Sequence, residues 1–386
     1  MSERLSTSSS CVESVTSPVE TVLFPYTTGQ IGGSHISGTS LAAGLAERFG
    51  LRSIVAAPEG AEVLEIARNL GLETMATREL AEPRHRPHRE LMLMPGRLSA
   101  LRKLGRRAIV HCNDLAALQS WGVAAKILGV PAIYHNRAFD RKIWPNRMVI
   151  RMARHVISIS AVCDARLDYI AKSRRSVITN PFSTPVETDF EAARAVLIRD
   201  LGAPDDAKII GFVGNFWPRK RPEFFLEIAA RLATRDDRLR FVLFGRAGEI
   251  SVEALERRAG EVGLAGRVLM AGFRLPPEAN LAALDLLLMP AIDEPFGRTL
   301  VESLLLGVPY VAADDAGHSE IHLRWGGGIM IDADASAEEY AAACHKAIAD
   351  PDSVRLPKDR RRAIAAELTP GHHAADVMEV YRSLLS

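Results

Sequence analysis

An α/β chain made of two doubly wound parallel sheets is the architecture this sequence predicts, and three observations carry that prediction. Short apolar runs alternate with helical patterns along almost the whole chain. The alternation restarts at Lys208–Val213, after a segment that follows Asn180-Pro181. The length, 386 residues, is that of two ordinary domains.

Composition narrows the function class. Hydrophobic residues make up 47% and charged residues 25%, the balance of a globular protein in water. A net charge of +1 argues against nucleic acid as a partner and gives no chain-wide attraction to membranes. No run approaches the roughly 20 apolar residues of a membrane span. Residues 1–18 are rich in Ser and Thr without an apolar core, so they read as a disordered tail rather than a signal peptide. Cys11, Cys112, Cys163 and Cys344 are isolated from one another, which suits a reducing, cytoplasmic setting. No Cys or His spacing suggests zinc, and the adjacent His372-His373 pair reads as surface histidine. No metal site and no cofactor are expected.

In the first half the strand-like runs are Thr21–Phe24, Ser53–Ala57, Ala108–Cys112, Ala132–His135, Val156–Ile159 and Ser176–Thr179. Helical patterns include Leu41–Phe49 and Leu115–Leu128. Gly29-Gln30-Ile31-Gly32-Gly33-Ser34-His35 follows the first run. Its paired glycines allow close backbone approach, and Ser34 is placed to cap the next helix. A tight turn alone would also account for it. It is not a Gly-x-Gly-x-x-Gly fingerprint, and Ala57 is followed by Pro58 rather than an acid, which counts against a nicotinamide enzyme. Two other runs end in polar groups, at His111-Cys112-Asn113-Asp114 and at His135-Asn136-Arg137. Strand ends in one parallel sheet share a rim, although Asp114 serves equally well as a helix N-cap.

A helical connector over Phe190–Leu201 leads into the second half. Its runs are Lys208–Val213, Arg240–Phe244, Val268–Met270, Leu286–Met289 and Tyr310–Ala312. After Lys208–Val213 comes Gly214-Asn215-Phe216-Trp217-Pro218-Arg219-Lys220-Arg221-Pro222, with Pro222 suited to the first position of a helix. Three cations thus crowd a helix N-terminus, the end that repels them. An anionic ligand would resolve the conflict; a solvated basic loop is the plainer reading. Gly245-Arg246-Ala247-Gly248 reads as a turn without chemistry.

The stretch from Leu284 to Pro309 holds the densest chemistry. An apolar strand ends at Pro290, a loop carries Glu294, and Gly297 opens a helix with Leu300, Val301, Leu304 and Leu305 on one side. N–H groups at that helix start suit an anion. Arg298 sits in the first turn, where the macrodipole disfavours it. Either a phosphate lies in front of the helix, or Arg298 pairs with Glu302 four residues on, worth about 0.3–0.5 kcal/mol.

Glu294-Pro295-Phe296-Gly297 through Glu302, with Gly307-Val308-Pro309 behind it, resembles the Glu-(seven residues)-Glu signature of the retaining glycosyltransferases of family 4. The resemblance is close over the second half and loose over the first. It implies the GT-B fold, two Rossmann-like domains facing across a cleft. The first domain would comprise 19–185 plus a terminal helix in 370–386, and the second 186–369. It also implies transfer of a sugar from a nucleotide-diphosphate donor to a hydroxyl of a glycan or glycolipid acceptor, with retention and without metal. A sugar-nucleotide epimerase and a silent GT-B binding subunit are the alternatives.

Carried over from the family, Glu294 and the Phe296-Gly297 backbone hold the donor sugar, Thr299 and Leu300 offer N–H groups to the diphosphate, and Glu302 holds the ribose. Lys220 matches the family's lysine that neutralises the diphosphate. Asn215 stands where the family has Arg, so Arg219 or Arg298 would substitute. Gly33 belongs to the loop that meets the donor phosphates, and His135 lines the reaction centre. The His111–Asp114 segment, with Asn113, lies on the acceptor side. The backbone at Gly272-Phe273-Arg274 reads the nucleobase, and Ala316-Gly317-His318-Ser319-Glu320 shapes the donor pocket.

One stretch remains. Arg84, Arg86, Arg89, Arg97, Arg102, Lys103, Arg106 and Arg107 are opposed by Glu90 alone and interleaved with Leu91, Met92, Leu93, Met94, Leu98 and Leu101. Arg147, Arg151 and Arg154 form a second stripe. Pro87, Pro95 and Gly96 argue against one long helix here. A solvated face, an anionic soluble acceptor and peripheral contact with the inner face of a membrane all fit these charges.

Overall fold

A computed structural model of the chain describes residues 19–27, 31–78, 87–139, 144–185 and 188–385. The tail 1–18, Gly29, Gln30, Arg84, Arg86 and the Arg89 side chain lie outside the described residues.

The first half runs β1 (Thr21–Pro25), α1 (Gly33–Phe49), β2 (Arg52–Pro58), α2 (Glu62–Asn69), β3 (Glu73–Thr77), α3 (Pro87–Arg102), β4 (Ala108–Cys112), α4 (Leu115–Leu128), β5 (Ala132–Asn136), α5 (Trp144–Ile150), β6 (His155–Ser158), α6 (Ala161–Ala165) and β7 (Arg175–Val177). The connector α7 (Phe190–Leu201) leads to β8 (Lys208–Val213), α8 (Pro222–Ala233), β9 (Leu239–Phe244), α9 (Val252–Glu261), β10 (Val268–Gly272), α10 (Pro277–Ala282) and β11 (Leu286–Met289). Then follow α11 (Arg298–Leu306), β12 (Tyr310–Asp314), α12 (Ala316–Trp325), β13 (Ile329–Asp332), α13 (Ala337–Ala349), α14 (Lys358–Glu367) and α15 (Pro370–Leu385).

The strands form two parallel sheets, ordered β3-β2-β1-β4-β5-β6-β7 and β10-β9-β8-β11-β12-β13. Each order reverses once, between β1 and β4 and between β8 and β11. A reversal leaves a crevice at the carboxyl ends of the strands, because the two crossover helices leave to opposite faces. Both sequence-predicted clusters sit at these crevices.

Two strands escaped the sequence pattern. β3 and β13 are sheet edges, and most of their side chains are only partly buried. An edge strand needs no continuous apolar run, so periodicity misses it. The prediction that prolines would break the stretch at 87–102 is also corrected: α3 runs through Pro95. Its inner side chains Met94, Leu98 and Leu101 pack with Trp121 of α4 in one apolar cluster, and that packing outweighs the lost backbone hydrogen bond.

Helix α15 closes back on the first sheet. Ala374, Val377, Met378 and Tyr381 are buried with Val22, Phe24, Leu41 and Leu45. Burial of a large apolar side chain contributes about 2 kcal/mol. The contact is close because Gly44 has no side chain: a Cβ there would lie 3.0 Å from the Pro370 carbonyl oxygen.

Candidate active site

On the second domain the crevice lies between the loop after β8 and the loop after β11. The two loops are joined by the Ile292 N–H, which donates to the Arg219 carbonyl at 2.8 Å. Gly297, with φ 97°, starts α11 in a left-handed turn, and a Cβ there would meet the His318 ring at 2.7 Å. Backbone conformation and space therefore both require glycine at 297. Gly317 is equally confined, since its added Cβ would lie 2.6 Å from the Glu294 carbonyl oxygen.

Glu294 is the hub of this face. Its Oε2 lies 2.6 Å from Lys220 Nζ and 2.8 Å from Arg219 Nη1. Burial alone would raise its pKa, but Lys220, Arg219 and His318 outweigh burial and bring it down to about 2. An anion that faces the cation-rich loop thus belongs to the chain itself. Glu294 supplies the counter-charge to two of the cations. The third, Arg221, turns away to the Ala333 carbonyl at 2.7 Å and stacks on Phe224. His318 is buried beneath, and burial holds it neutral, with a pKa of about 4.

Arg298 makes the ion pair that was one of its two readings. Its Nη2 pairs with Glu302 Oε1 at 2.9 Å, and its Nη1 reaches across to Ser37 Oγ at 3.0 Å and the Pro181 carbonyl at 3.2 Å. Arg298 is therefore a strut between the domains, with its guanidinium over Phe182. Burial raises the pKa of Glu302 despite that partner. Gly33 lies under the strut, where an added Cβ would sit 3.4 Å from Arg298 Cδ. At the start of α11 the Leu300 N–H is used by the Gly297 carbonyl at 3.0 Å, which moves the expected phosphate donors toward Thr299. The Phe296 ring is buried against Phe182.

Asn215 has a structural partner: its Oδ1 accepts from the Arg246 N–H at 3.1 Å. Arg246, passed over in the sequence, stacks 4.2 Å from the Phe273 ring centroid beside that loop. Gly272 takes φ 69° at the end of β10. The Arg274 side chain is turned to Asp200 of α7 at 2.7 Å, and its carbonyl accepts from Asn280. Of the three residues 272–274, Arg274 therefore does not point its side chain at the crevice. Glu320 does more than shape a pocket, since its carboxylate accepts from the Ala161 and Val162 N–H groups of the first domain at 2.9 and 3.1 Å. Ser160 Oγ donates to the Pro295 carbonyl in the same contact. No sequence signal beyond a Ser at a strand end marks the 160–162 segment.

On the first domain the crevice between β1 and β4 is densely hydrogen-bonded, and its groups are neutral apart from Arg137 and Asp114. The N-cap of α1 is Gly32 rather than Ser34, and the Gly32 N–H donates to His35 Nδ1 at 3.2 Å. Asp114 is the N-cap of α4, accepting from the Ala117 N–H at 2.7 Å. Asn113 is fully buried, donating to the Tyr26 hydroxyl at 3.2 Å and accepting from Arg137 Nε at 3.1 Å. Arg137 also donates to Asn180 Oδ1 and to His135 Nδ1. These acceptors are all neutral, and burial brings the Arg137 pKa down to about 9. His111 and His135 are both buried and lie 3.0 Å apart, His111 Nε2 to His135 Nδ1. His373, expected at the surface, is buried and stacked on His135 with ring centroids 5.8 Å apart.

A further cavity of about 770 Å³ lies at the opposite end of the second sheet, lined by Lys208, Asp285, Gly307 and Arg361. Arg194 and Lys208 are already paired there with Asp285.

Residues 194–367 match the family described as Glycosyl transferases group 1. Among curated relatives, the D-inositol 3-phosphate glycosyltransferase of Corynebacterium urealyticum is 28% identical over 265 residues, 65% of this chain and 61% of that protein. The protein of the same name from Mycobacterium tuberculosis is 33% identical over 170 residues, 42% of this chain and 32% of that protein. This chain therefore spans about three fifths or less of the length of those relatives. Among solved structures, Anabaena Alr3699/HepE in complex with UDP and glucose superposes with a TM-score of 0.80 at 21% identity, over 94% of this chain and 100% of that one. WaaG, a glycosyltransferase involved in lipopolysaccharide biosynthesis, gives a TM-score of 0.69 at 15% identity, over 93% and 99%. At these identities the structures establish the fold, which is GT-B.

Proposed function

We propose, on the premise that residues 194–367 belong to the Glycosyl transferases group 1 family, that the chain is a retaining, metal-independent glycosyltransferase. It moves a sugar from a nucleotide-diphosphate donor to a hydroxyl of a glycan or glycolipid acceptor. The observation that carries this reading is the convergence of Lys220 and Arg219 on Glu294 beside the start of α11. An ammonium has three N–H donors and a guanidinium five, so one bond each to Glu294 leaves donors for phosphate oxygens. As the C1–O bond of the donor breaks, negative charge grows on the departing diphosphate. Cations and helix N–H groups already in place stabilise that charge without reorganising. Glu294 holds the sugar hydroxyls and keeps both cations aimed, and His135 and Arg137 form the opposite wall.

The HepE structure holds UDP and glucose, which makes UDP-hexoses the first donors to assay. The names of the curated relatives make an inositol phosphate the first acceptor. The test is a thermal-shift panel of UDP-, GDP- and ADP-sugars, where a donor at 100 times its Kd adds about 2.7 kcal/mol. Transfer is then assayed with the stabilising donor, with and without EDTA, and the product anomer is read by NMR. A panel without any shift or transfer sinks the proposal, inversion of the anomer sinks retention, and loss of transfer in EDTA sinks metal independence. Conversion of the donor without acceptor would favour the epimerase instead.

The acceptor in this reading is presented at an anionic membrane face. Leu91 and Met92 of α3 and Trp144 and Met148 of α5 are exposed on helices that both pack on α4. Arg102, Lys103, Arg106, Arg151 and Arg154 are exposed nearby in sequence, and each is worth roughly 1 kcal/mol near an anionic leaflet. Arg97 leaves this set, because it is buried on Glu90 and the Ser120 carbonyl. Among the described residues no helix is long and apolar enough to cross a membrane. Co-sedimentation with anionic liposomes that fades with salt supports docking, and none at low salt removes it.

A further inference from the structure

Under the rim of the first sheet runs a chain of hydrogen bonds whose direction can be assigned atom by atom. A guanidinium only donates, so Arg137 Nη2, 3.2 Å from His135 Nδ1, makes that nitrogen an acceptor. His111 Nε2 lies 3.0 Å from the same nitrogen and must carry its proton. A neutral imidazole has one N–H. His111 Nδ1 is therefore bare, and the Tyr381 hydroxyl, 2.7 Å away, donates to it. By the same rule His135 carries its proton on Nε2, and that atom is buried without a hydrogen-bond partner. His373 is the reverse case. Its Nδ1 donates to the Thr179 carbonyl at 2.8 Å, so its Nε2 is bare, and it too is buried without a partner. Burial first, and then the neighbouring Arg137, keep all three histidines neutral.

We propose that Tyr381 is a positioning residue for sugar transfer: acting through His111, it holds the His135–Arg137 pair at the rim in one orientation. The inference rests on the glycosyltransferase reading above. Its physical basis is the direction of the chain. Arg137 sets the tautomers from one end; the Tyr381 hydroxyl holds the His111 ring from the other, and without it His111 Nδ1 is a buried acceptor that has lost its donor. The His111 ring then tilts, and its Nε2–H leaves the line to His135 Nδ1, 3.0 Å away. The His135 ring would then turn, and Arg137 would lose its resting point. Helix α15, which lies beyond the family match at 194–367, thereby sets the geometry of the opposite wall.

The test uses the full-length protein, 15N-labelled at histidine. Long-range proton–nitrogen correlation spectra report which ring nitrogen of each histidine is protonated, and His111→Gln and His135→Gln assign the signals. Wild type is expected to show His111 and His135 as Nε2–H. In Tyr381→Phe His111 stays Nε2–H, its Nδ1 signal shifts as the hydroxyl donor is lost, the His135 ring signals move with it, and kcat falls about tenfold, the scale of a small displacement at a reacting group. Donor KM and nucleoside-diphosphate binding stay within about twofold, because those contacts belong to the second domain. Unchanged His135 ring signals or an unchanged kcat in folded Tyr381→Phe overturns the proposal. Should that variant fail to fold, Tyr381→Phe/His111→Leu removes both polar partners together. It is expected to fold with the low kcat, and wild-type kcat in it overturns the proposal. A wild-type protein that transfers no sugar refutes the glycosyltransferase reading itself, while the tautomer spectra still decide whether the relay exists.

Discussion

The two walls of the cleft hold their polar groups by opposite means. The second-domain wall is built from full charges in compensating sets, Lys220 and Arg219 on Glu294 and Arg298 on Glu302. The first-domain wall is built from neutral dipoles, Tyr26, Asn113, His111, His135 and Asn180, around the single guanidinium of Arg137. Charges act over distance and tolerate small displacements. Hydrogen bonds between neutral groups specify direction. The arrangement suits a reaction in which one wall stabilises developing charge and the other orients uncharged hydroxyls. It also gives the walls different pH sensitivities and different responses to mutation.

The largest difference is expected in acid. His111, His135 and His373 have folded pKa values below the ordinary 6.5, His373 at about 3. As pH falls below about 6.5 the unfolded chain takes up protons that the folded wall refuses. Stability is thus full above that pH and declines below it. The second wall has one such histidine, His318, and its Glu294 loses stabilising charge only as pH falls from the ordinary 4.5 toward about 2. Hydrogen exchange between pH 7.5 and 5 should therefore rise first in β4, β5 and α15. Simultaneous loosening of α11 would contradict the comparison.

Next in size, Lys220→Ala should lower kcat on the order of 10²-fold, the loss of one charge contact to a leaving group. Steady-state turnover with the stabilising donor measures it, and wild-type turnover would remove the phosphate role. Glu294→Gln should follow with about a tenfold loss, since it frees Lys220 and Arg219 from their shared anchor. Circular dichroism should show an unaltered fold; unfolding with normal activity per folded molecule would make Glu294 structural. Smallest of all, Asn215→Arg should tighten nucleoside-diphosphate binding a few-fold, roughly 1 kcal/mol for a partly exposed ion pair. Calorimetry reads it, and loss of binding would mean that the Asn215–Arg246 contact is the element the pocket needs.

The charged wall was legible in the sequence because its members lie within a few residues of two strand ends. Lys220 and Glu294 were named from the loops after β8 and β11, and the structure brings them to 2.6 Å. What could not be read was that the two pair with each other, since 74 positions separate them, or that Arg298 spans the cleft to Ser37. The neutral wall was legible only in fragments. His111, Asn113 and His135 were named as strand-end residues, while Tyr26, Asn180, His373 and Tyr381 carried no signal, because Tyr, Asn and His at such positions are ordinary core or surface residues until their partners are known.

By itself the sequence determined the alternation of strands and helices, the restart at Lys208 and the glycines that open the turns after β1 and β11. These are local properties, set by periodicity and by the backbone conformations that only glycine adopts readily. The tertiary structure alone decided the strand order that places both crevices at the sheet reversals, the edge strands β3 and β13, and the continuity of α3 through Pro95. It alone carried Tyr381 and His373, at the far end of the chain, to the histidines of β4 and β5. Contacts of that kind depend on burial and hydrogen bonding between segments hundreds of residues apart, and no local pattern encodes which segments will meet.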